Sequence, residues 1–451
     1  MHNIIVNTKK IIDYLISLVT NSNSSISNSN SIKTNTDSLV TNSNSIKTNS
    51  DSLVTSNDLI KTNSDSLVTN SNILVSNSNE RLTEKTAFNE QSTNSLHVKI
   101  AWNFHYNIHT DIIKQTTTGS GTITQADSMA ILQTTAATSS SAKIETYDAL
   151  RYIPGVGGVI RFTAVFTLGV AGSQQLVGFG DSIDGFFFGY NGATFSILKI
   201  RNSNKQWIAQ NSWSDMNISG FDPTKGNVYQ IKFQWLGFGE IKFFIEDRDT
   251  GKYELVHRLQ YTNANIVPSI YNPSLPLLAE VINTTNNTNI TIKTPSAMGG
   301  LEGEVSDSIL TTLNGVSSTK TTVTTVIPIL SIKNNTTFIS KTNRTRLTLS
   351  SIGYSTDGTK SVVFIVHKNG TLTGPSFTDV NAAVTPLQID SAATAISGSR
   401  ILLRYIGGKI ESGIIPGIRD ISLAPGESLT ITGESANATD LNISITVKTE
   451  L

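Results

Sequence analysis

Residues 32–45 read IKTNTDSLVTNSNS, and the chain repeats this as IKTNSDSLVTSNDL over 46–59 and IKTNSDSLVTNSNI over 60–73. The unit is fourteen residues, or two heptads. With Ile32 at position a, the a series runs Ile4, Ile11, Leu18, Ser25, Ile32, Leu39, Ile46, Leu53, Ile60, Leu67 and Leu74, ten of the eleven aliphatic. Position d is Asn7, Tyr14, Asn21, Asn28, Asn35, Asn42, Asn49, Ser56, Asn63, Asn70 and Asn77, nine of the eleven asparagine. Position e is mostly Ser or Thr.

A strict 3.5-residue period held over eleven heptads predicts a left-handed supercoil of helices. Ile32, Leu39, Ile46, Leu53, Ile60, Leu67 and Leu74 would form apolar layers, alternating with amide layers at Asn21, Asn28, Asn35, Asn42, Asn49, Asn63, Asn70 and Asn77. Buried amides need partners. Three asparagines around one axis can supply them through a shared anion or water, so such layers select register and strand number where an all-leucine seam is promiscuous. A parallel trimeric stalk is therefore expected over 1–84, a rod of roughly 115 Å. Lys33 with Asp37, Lys47 with Asp51 and Lys61 with Asp65 stand at the spacing of i,i+4 ion pairs. The competing reading is a disordered Ser/Thr/Asn linker, since these residues are poor helix formers. A linker, however, has no reason to place an aliphatic residue at every seventh position. The pattern resembles the asparagine-at-d layers of trimeric coiled-coil stalks in bacterial autotransporter adhesins, over about residues 4–80.

Beyond a polar hinge at 85–94 the period changes from seven to two. Leu96, Val98, Ile100, Trp102, Phe104, Tyr106 and Ile108 alternate with His97, Lys99, Ala101, Asn103, His105, Asn107 and His109, which predicts one long half-buried strand. Strand candidates follow in GVIRFTAVFTL, QQLVGFG, GFFFGYNG, TFSILKIRN, QWIAQNSW, NVYQIKFQWLGFG, EIKFFIEDR, YELVHRLQY and LPLLAEVIN, also in ALRYIPG, with turn signals at Asn191-Gly192 and Thr250-Gly251. These place one β domain over 95–300. A connector is expected over 301–322, then a second β sandwich over 323–451 built from TTVIPILSIK, RTRLTLSSIGYS, KSVVFIVHKNG, SRILLRYIGG and SLTITG. The fold class is thus mainly β with an N-terminal α coiled coil.

The body resembles virion structural proteins of large double-stranded DNA viruses and tailed phages, through LRYIPGVGGVIRFTAVFT, LVGFGDSIDGFFFGYNGATFSIL and YQIKFQWLGFGEIKFFIED, and again through ILSIKNNTTFISKTN, GTLTGPSFTDV and LAPGESLTI. The resemblance implies a concanavalin-like jelly roll for the first domain and a place on the virion surface, with assembly in the host cytoplasm.

Composition narrows the chemistry. The 451 residues are 38% apolar and 15% charged with a formal charge of zero, so no field steers the chain as a whole onto nucleic acid or an anionic membrane. Cysteine is absent, which removes disulfides, thiol catalysis and Cys-ligated zinc. The apolar run Ile11 to Val19 is short and interrupted by Asp13, so it is not read as a signal peptide, and no segment reaches the roughly 18 apolar residues of a membrane span.

Local motifs point the same way. His105 and His109 would lie about 13 Å apart on a strand, too far to share a metal. Asp247-Arg248-Asp249-Thr250-Gly251 reads as a hairpin turn before it reads as a calcium loop. Glu240 and Glu246 share strand parity but stand about 20 Å apart when extended, and no Gly-x-Ser-x-Gly elbow occurs. No catalytic residue, metal or cofactor is therefore assigned. Among the aromatics, Tyr190 and Trp213, beside polar turns, are the better candidates for a sugar-stacking platform. The expectation is a non-enzymatic homotrimeric surface fibre or spike, attached to capsid or vertex proteins and facing host glycans. A polysaccharide-degrading spike and a cellular trimeric adhesin are the alternatives.

Overall fold

The computed structural model describes residues 2–81, 86–87, 95–215, 218–304, 310–418 and 421–450. The expected hinge at 85–94 lies outside them, apart from Thr86 and Ala87, as do residues 305–309 of the expected connector. The chain forms two units, Met1–Glu84 and Lys85–Leu451.

In the first unit a single helix, His2–Arg81, takes up the whole repeat region. Ser and Thr are indifferent helix formers because their hydroxyls compete for backbone groups. Here the hydroxyls turn back on the helix itself. Thr34 donates to Asn30 O at 3.0 Å, Ser38 to Thr34 O at 2.9 Å and Thr41 to Asp37 O at 3.0 Å. These donors occupy heptad positions c and g, off the a/d line. Lys33 and Asp37 do not close the ion pair that their spacing allows. The aliphatic a positions are 53–74% exposed. The helix is nowhere apolar enough to cross a membrane.

The second unit holds two antiparallel β sandwiches. In the first, a nine-stranded sheet runs Tyr253–Leu259, Ile241–Glu246, Asn227–Gln234, Gly157–Phe166, Thr291–Thr294, Met129–Gln133 and Thr122–Ala126. Ser296–Glu302 also pairs with Gly157–Phe166 and carries Leu96–Asn103 on its far side. Facing it is a seven-stranded sheet in the order Asn204–Ala209, Thr194–Arg201, Gly185–Asn191, Ser173–Gly180, Leu277–Asn283, Ser140–Thr146 and Ile113–Thr118. Strand alternation sends one residue in two between the sheets. Phe186, Phe188, Ile197, Val177 and Ala279 meet Phe162, Tyr229, Ile231 and Phe243 there. Phe188 is at the centre, with Tyr229 at 4.9 Å, Phe243 at 5.5 Å and Trp213 at 6.0 Å between ring centres.

The second sandwich packs a five-stranded sheet, made of Thr311–Val323, Thr439–Glu450, Arg346–Thr356 and Glu411–Ile414 with Ser422–Leu423, on a six-stranded one. The latter runs Thr378–Asp379, Leu387–Asp390, Ile327–Asn334, Ser428–Ser435, Val362–Lys368 and Arg400–Gly407. Its core gathers Ile329, Leu347, Phe364, Ile431, Ile443 and Val447.

Three expectations need correction. The connector is not one: Leu301 and Glu302 end a strand of the first sandwich, and Thr311–Val323 is an edge strand of the second, paired along Thr439–Glu450. Its Ser/Thr-rich sequence suits an edge that leaves one side to water. The first strand stops at Asn103, where Asn103 Oδ1 meets His105 Nδ1 at 2.6 Å and the chain turns, so the alternation through His109 is not strand. ALRYIPG forms only an isolated bridge, Leu150 with Leu275.

Truncating Phe188 to alanine removes the ring at the centre of the first core and should cost about 3–5 kcal/mol. Denaturant unfolding followed by tryptophan fluorescence checks this, with the helix signal at 222 nm as internal control.

Candidate functional site

Strand parity decides which aromatics can meet a ligand. In Gly185–Asn191, Tyr190 shares parity with Phe186 and Phe188, so it points inward. It is 4% exposed and packs edge-on against Phe166 and Phe195 at 6.2 and 5.1 Å. Burial raises its phenol pKa above the ordinary tyrosine value. Trp213 is half-buried against the same core, and its indole N–H donates to Ile208 O at 3.3 Å. Buried Tyr190 is therefore not a sugar platform. The parity of Tyr190 with two phenylalanines was the available signal.

The opposite parity leads to the outer face of the seven-stranded sheet. Directly opposed residues form one row across it: Trp207, Leu198, Phe187, Gly178, Leu278, Glu145 and Lys114. This face is turned away from the core, yet it buries Leu176, Phe187, Leu198, Ile200 and Leu278 to 3% exposure or less, with half-buried Trp207 packed on them. Glycines make the floor possible. A Cβ at Gly178, Gly180 or Gly185 would meet the Phe187 ring at 3.1, 3.0 and 2.5 Å.

Beside that apolar floor stands Glu280, opposite Lys143 on one neighbouring strand and Leu176 on the other. The Glu280 carboxyl makes no hydrogen bond among the described residues. Burial pushes its carboxyl above the usual range, partly offset by Lys143 and Lys205 and reinforced by Glu145. Glu145 is held by Lys114 at 2.7 Å and Lys143 at 3.2 Å. Lys205 lies on a strand four places from that of Glu280, about 19 Å by backbone spacing. Over that buried floor the half-buried Trp207 indole offers a ring, and the unpaired Glu280 carboxyl among lysines offers groups that can bond hydroxyls.

Sequence reading missed this face because Glu145, Lys205, Trp207 and Glu280 are scattered over more than a hundred residues. Other motifs prove structural. Asp247 Oδ1 accepts from the Asp249 and Thr250 amides at 3.1 and 2.9 Å, closing the hairpin turn. Glu240 pairs with Lys242 at 3.1 Å. Among the described residues no group of three His, Cys, Asp or Glu gathers at metal-binding distance.

No protein-family model matches the sequence, and no curated protein matches it. Solved structures similar to part of the chain include lectin I-B4 from Griffonia simplicifolia in its metal-free form (12% identity, 45% of this chain and 99% of that chain, TM-score 0.30). The exoplasmic/lumenal domain of VIP36 is similar at 10% identity, over 47% of this chain and 93% of that chain, with a TM-score of 0.32. A glycosyl hydrolase family protein from Mycobacterium fortuitum is similar at 11% identity, over 45% and 99%, with a TM-score of 0.33.

A carboxyl whose folded-state pKa is raised costs stability while ionised, and the cost fades as pH falls through that value. Glu280→Gln should therefore stabilise the first sandwich where Glu280 is ionised, the advantage shrinking as pH falls through its raised pKa and vanishing below the ordinary carboxylate range. Denaturant midpoints of the two proteins across that fall in pH measure it.

Proposed function

We propose that the chain is a homotrimeric virion surface fibre, with the N-terminal helix as stalk, capsid or vertex proteins as anchor partners and the outer sheet face of the first sandwich as a glycan-binding surface. One observation carries the stalk. Ten aliphatic side chains recur at seven-residue spacing on an 80-residue helix and remain 53–74% exposed within the single chain. Each such side chain gains about 1.5–3 kcal/mol when buried, and a helix this rich in Ser, Thr and Asn needs that gain. The asparagines at d favour three copies over two, since three amides around an axis can share one central partner. The viral setting rests on the resemblance of the body sequence to virion structural proteins.

Glycan binding is supported by the outer face, where Trp207 supplies a ring and Glu280, Lys143 and Lys205 supply polar groups. This reading is non-enzymatic. Cleavage of a polysaccharide is the second reading, favoured by one observation: Glu280, with its raised pKa, lies beside Glu145, the arrangement of an acid next to a carboxylate.

Sedimentation of the full chain should give a particle of three 48.6 kDa copies, and Ile46→Lys with Leu53→Lys should shift it to monomer. A monomeric wild type would overturn the stalk. On a glycan array, Trp207→Ala should weaken binding about tenfold, or ~1.4 kcal/mol. New reducing ends that disappear in Glu280→Gln would replace binding by cleavage.

A further inference from the structure

Two connections of the first sandwich, residues 235–240 and 260–276, run side by side at one end of it. The Ser269 amide donates to Gly237 O at 2.7 Å and the Thr262 hydroxyl to Phe238 O at 3.0 Å. A Cβ at Gly237 would touch the Pro268 side chain at 3.4 Å. A hairpin of the second sandwich, Thr337–Phe338 paired with Lys341–Thr342, stands next to them. Asn272 Nδ2 donates to Thr342 O at 2.9 Å, and the Lys341 ammonium lies 4.2 Å from the centre of the Tyr271 ring.

These three segments put apolar side chains into water. Ile266 is 96% exposed and Leu236 56%, and Phe238, Val267, Tyr271 and Ile339 are exposed with them. Single exposed apolar residues are ordinary, but a cluster marks a contact surface. Ile339 takes the hairpin's turn at φ 46°, a left-handed conformation that a β-branched residue rarely adopts and that Asn or Gly would hold without strain. The turn thus keeps an apolar tip against the preference of its backbone.

Charge around the tips has one sign. Segments 235–239, 261–275 and 337–342 contain no Asp or Glu. Three cations border them: Lys341 on the Tyr271 ring, Arg201 donating through Nε to Pro268 O at 2.6 Å, and Lys199 at 4.5 Å from the centre of the Tyr261 ring. None of the three pairs with a carboxylate among the described residues. Burial and the neighbouring Arg201 lower the pKa of Lys199. Asp181, Asp184 and Glu240 border the same end but are already answered, by Arg344, by the amides of Asn202, Tyr271 and Asn272, and by Lys242. Tips on three separate loops offer a folded partner no groove, whereas a fluid lipid boundary needs no matching shape. It takes apolar side chains below the headgroups and draws Lys and Arg to anionic lipid.

We propose that this loop end rests on a phospholipid bilayer carrying anionic headgroups, with Leu236, Phe238, Ile266, Val267 and Ile339 in the boundary between headgroups and acyl chains and Arg201 and Lys341 at the phosphates. The contact is peripheral and crosses nothing. It depends neither on the stalk nor on the outer sheet face.

Flotation of the full chain with vesicles of phosphatidylcholine, alone or with about 30% phosphatidylserine, tests this. Binding to the anionic vesicles should be at least about fivefold tighter than to the neutral ones, the preference shrinking as salt rises. Leu236→Asp with Ile266→Asp should weaken it by about tenfold or more, with sedimenting mass and unfolding midpoint unchanged because both side chains are exposed. Lys341→Glu should cost about fivefold or more on anionic vesicles and little on neutral ones. Trp207→Ala should float as the wild type does, since these vesicles carry no glycan. Failure to float with anionic vesicles, full binding in the double variant, or a changed sedimenting mass in it, which would make the tips a contact between copies, would each overturn the proposal.

Discussion

A helix can bury its apolar stripe only against something else. In His2–Arg81 the seam of aliphatic a positions and asparagine d positions is set by sequence alone, and the helix is a unit of its own with those aliphatic side chains open. The proposed assembly follows from that constraint. Hydroxyls at c and g are already bonded to carbonyls one turn back, so they place little demand on a neighbour. What remains unsatisfied lies along a and d, where an aliphatic layer and an amide layer alternate. Association would cover the first and pair the second.

In the body the equivalent constraint is the two-residue period. It sends Phe186 and Phe188 inward and Phe187 outward on one strand, and the seven-stranded sheet is apolar on both faces as a result. The outer apolar residues form a small core of their own, 3% exposed or less, with Trp207 packed on them. Glycines at 178, 180 and 185 let the Phe187 ring lie against the backbone, and the charged residues collect beside that floor. Burial there raises the pKa of the Glu280 carboxyl, a local cost in stability while it is ionised.

Much of the fold was legible. The heptads marked the helix, and the Phe-rich segments marked central strands because large apolar side chains at period two have few other uses. Thr311–Val323 was not legible: TTLNGVSSTKTTV reads as linker, and only its partner at the far end of the chain makes it a strand. The alternation past Asn103 misled for the converse reason, a period without a pairing partner. Tyr190 and Trp213 stand beside polar turns, but their burial follows parity and packing. The outer face escaped because Lys114, Glu145, Trp207 and Glu280 become neighbours only through sheet order.

Each sandwich is closed by its own ends. Leu96 pairs with Glu302, and Thr311 pairs with Glu450, so the chain enters and leaves each domain at adjacent points of one sheet. Tension drawn between residues 96 and 302 would therefore pull on the adjacent ends of Leu96–Asn103 and Ser296–Glu302. The hydrogen bonds of that antiparallel pair would be loaded one after another, as in a zipper, and not together in shear. Ser296–Glu302 is held on its other side by Gly157–Phe166, so Leu96–Asn103, with its one partner, is the strand that would peel first.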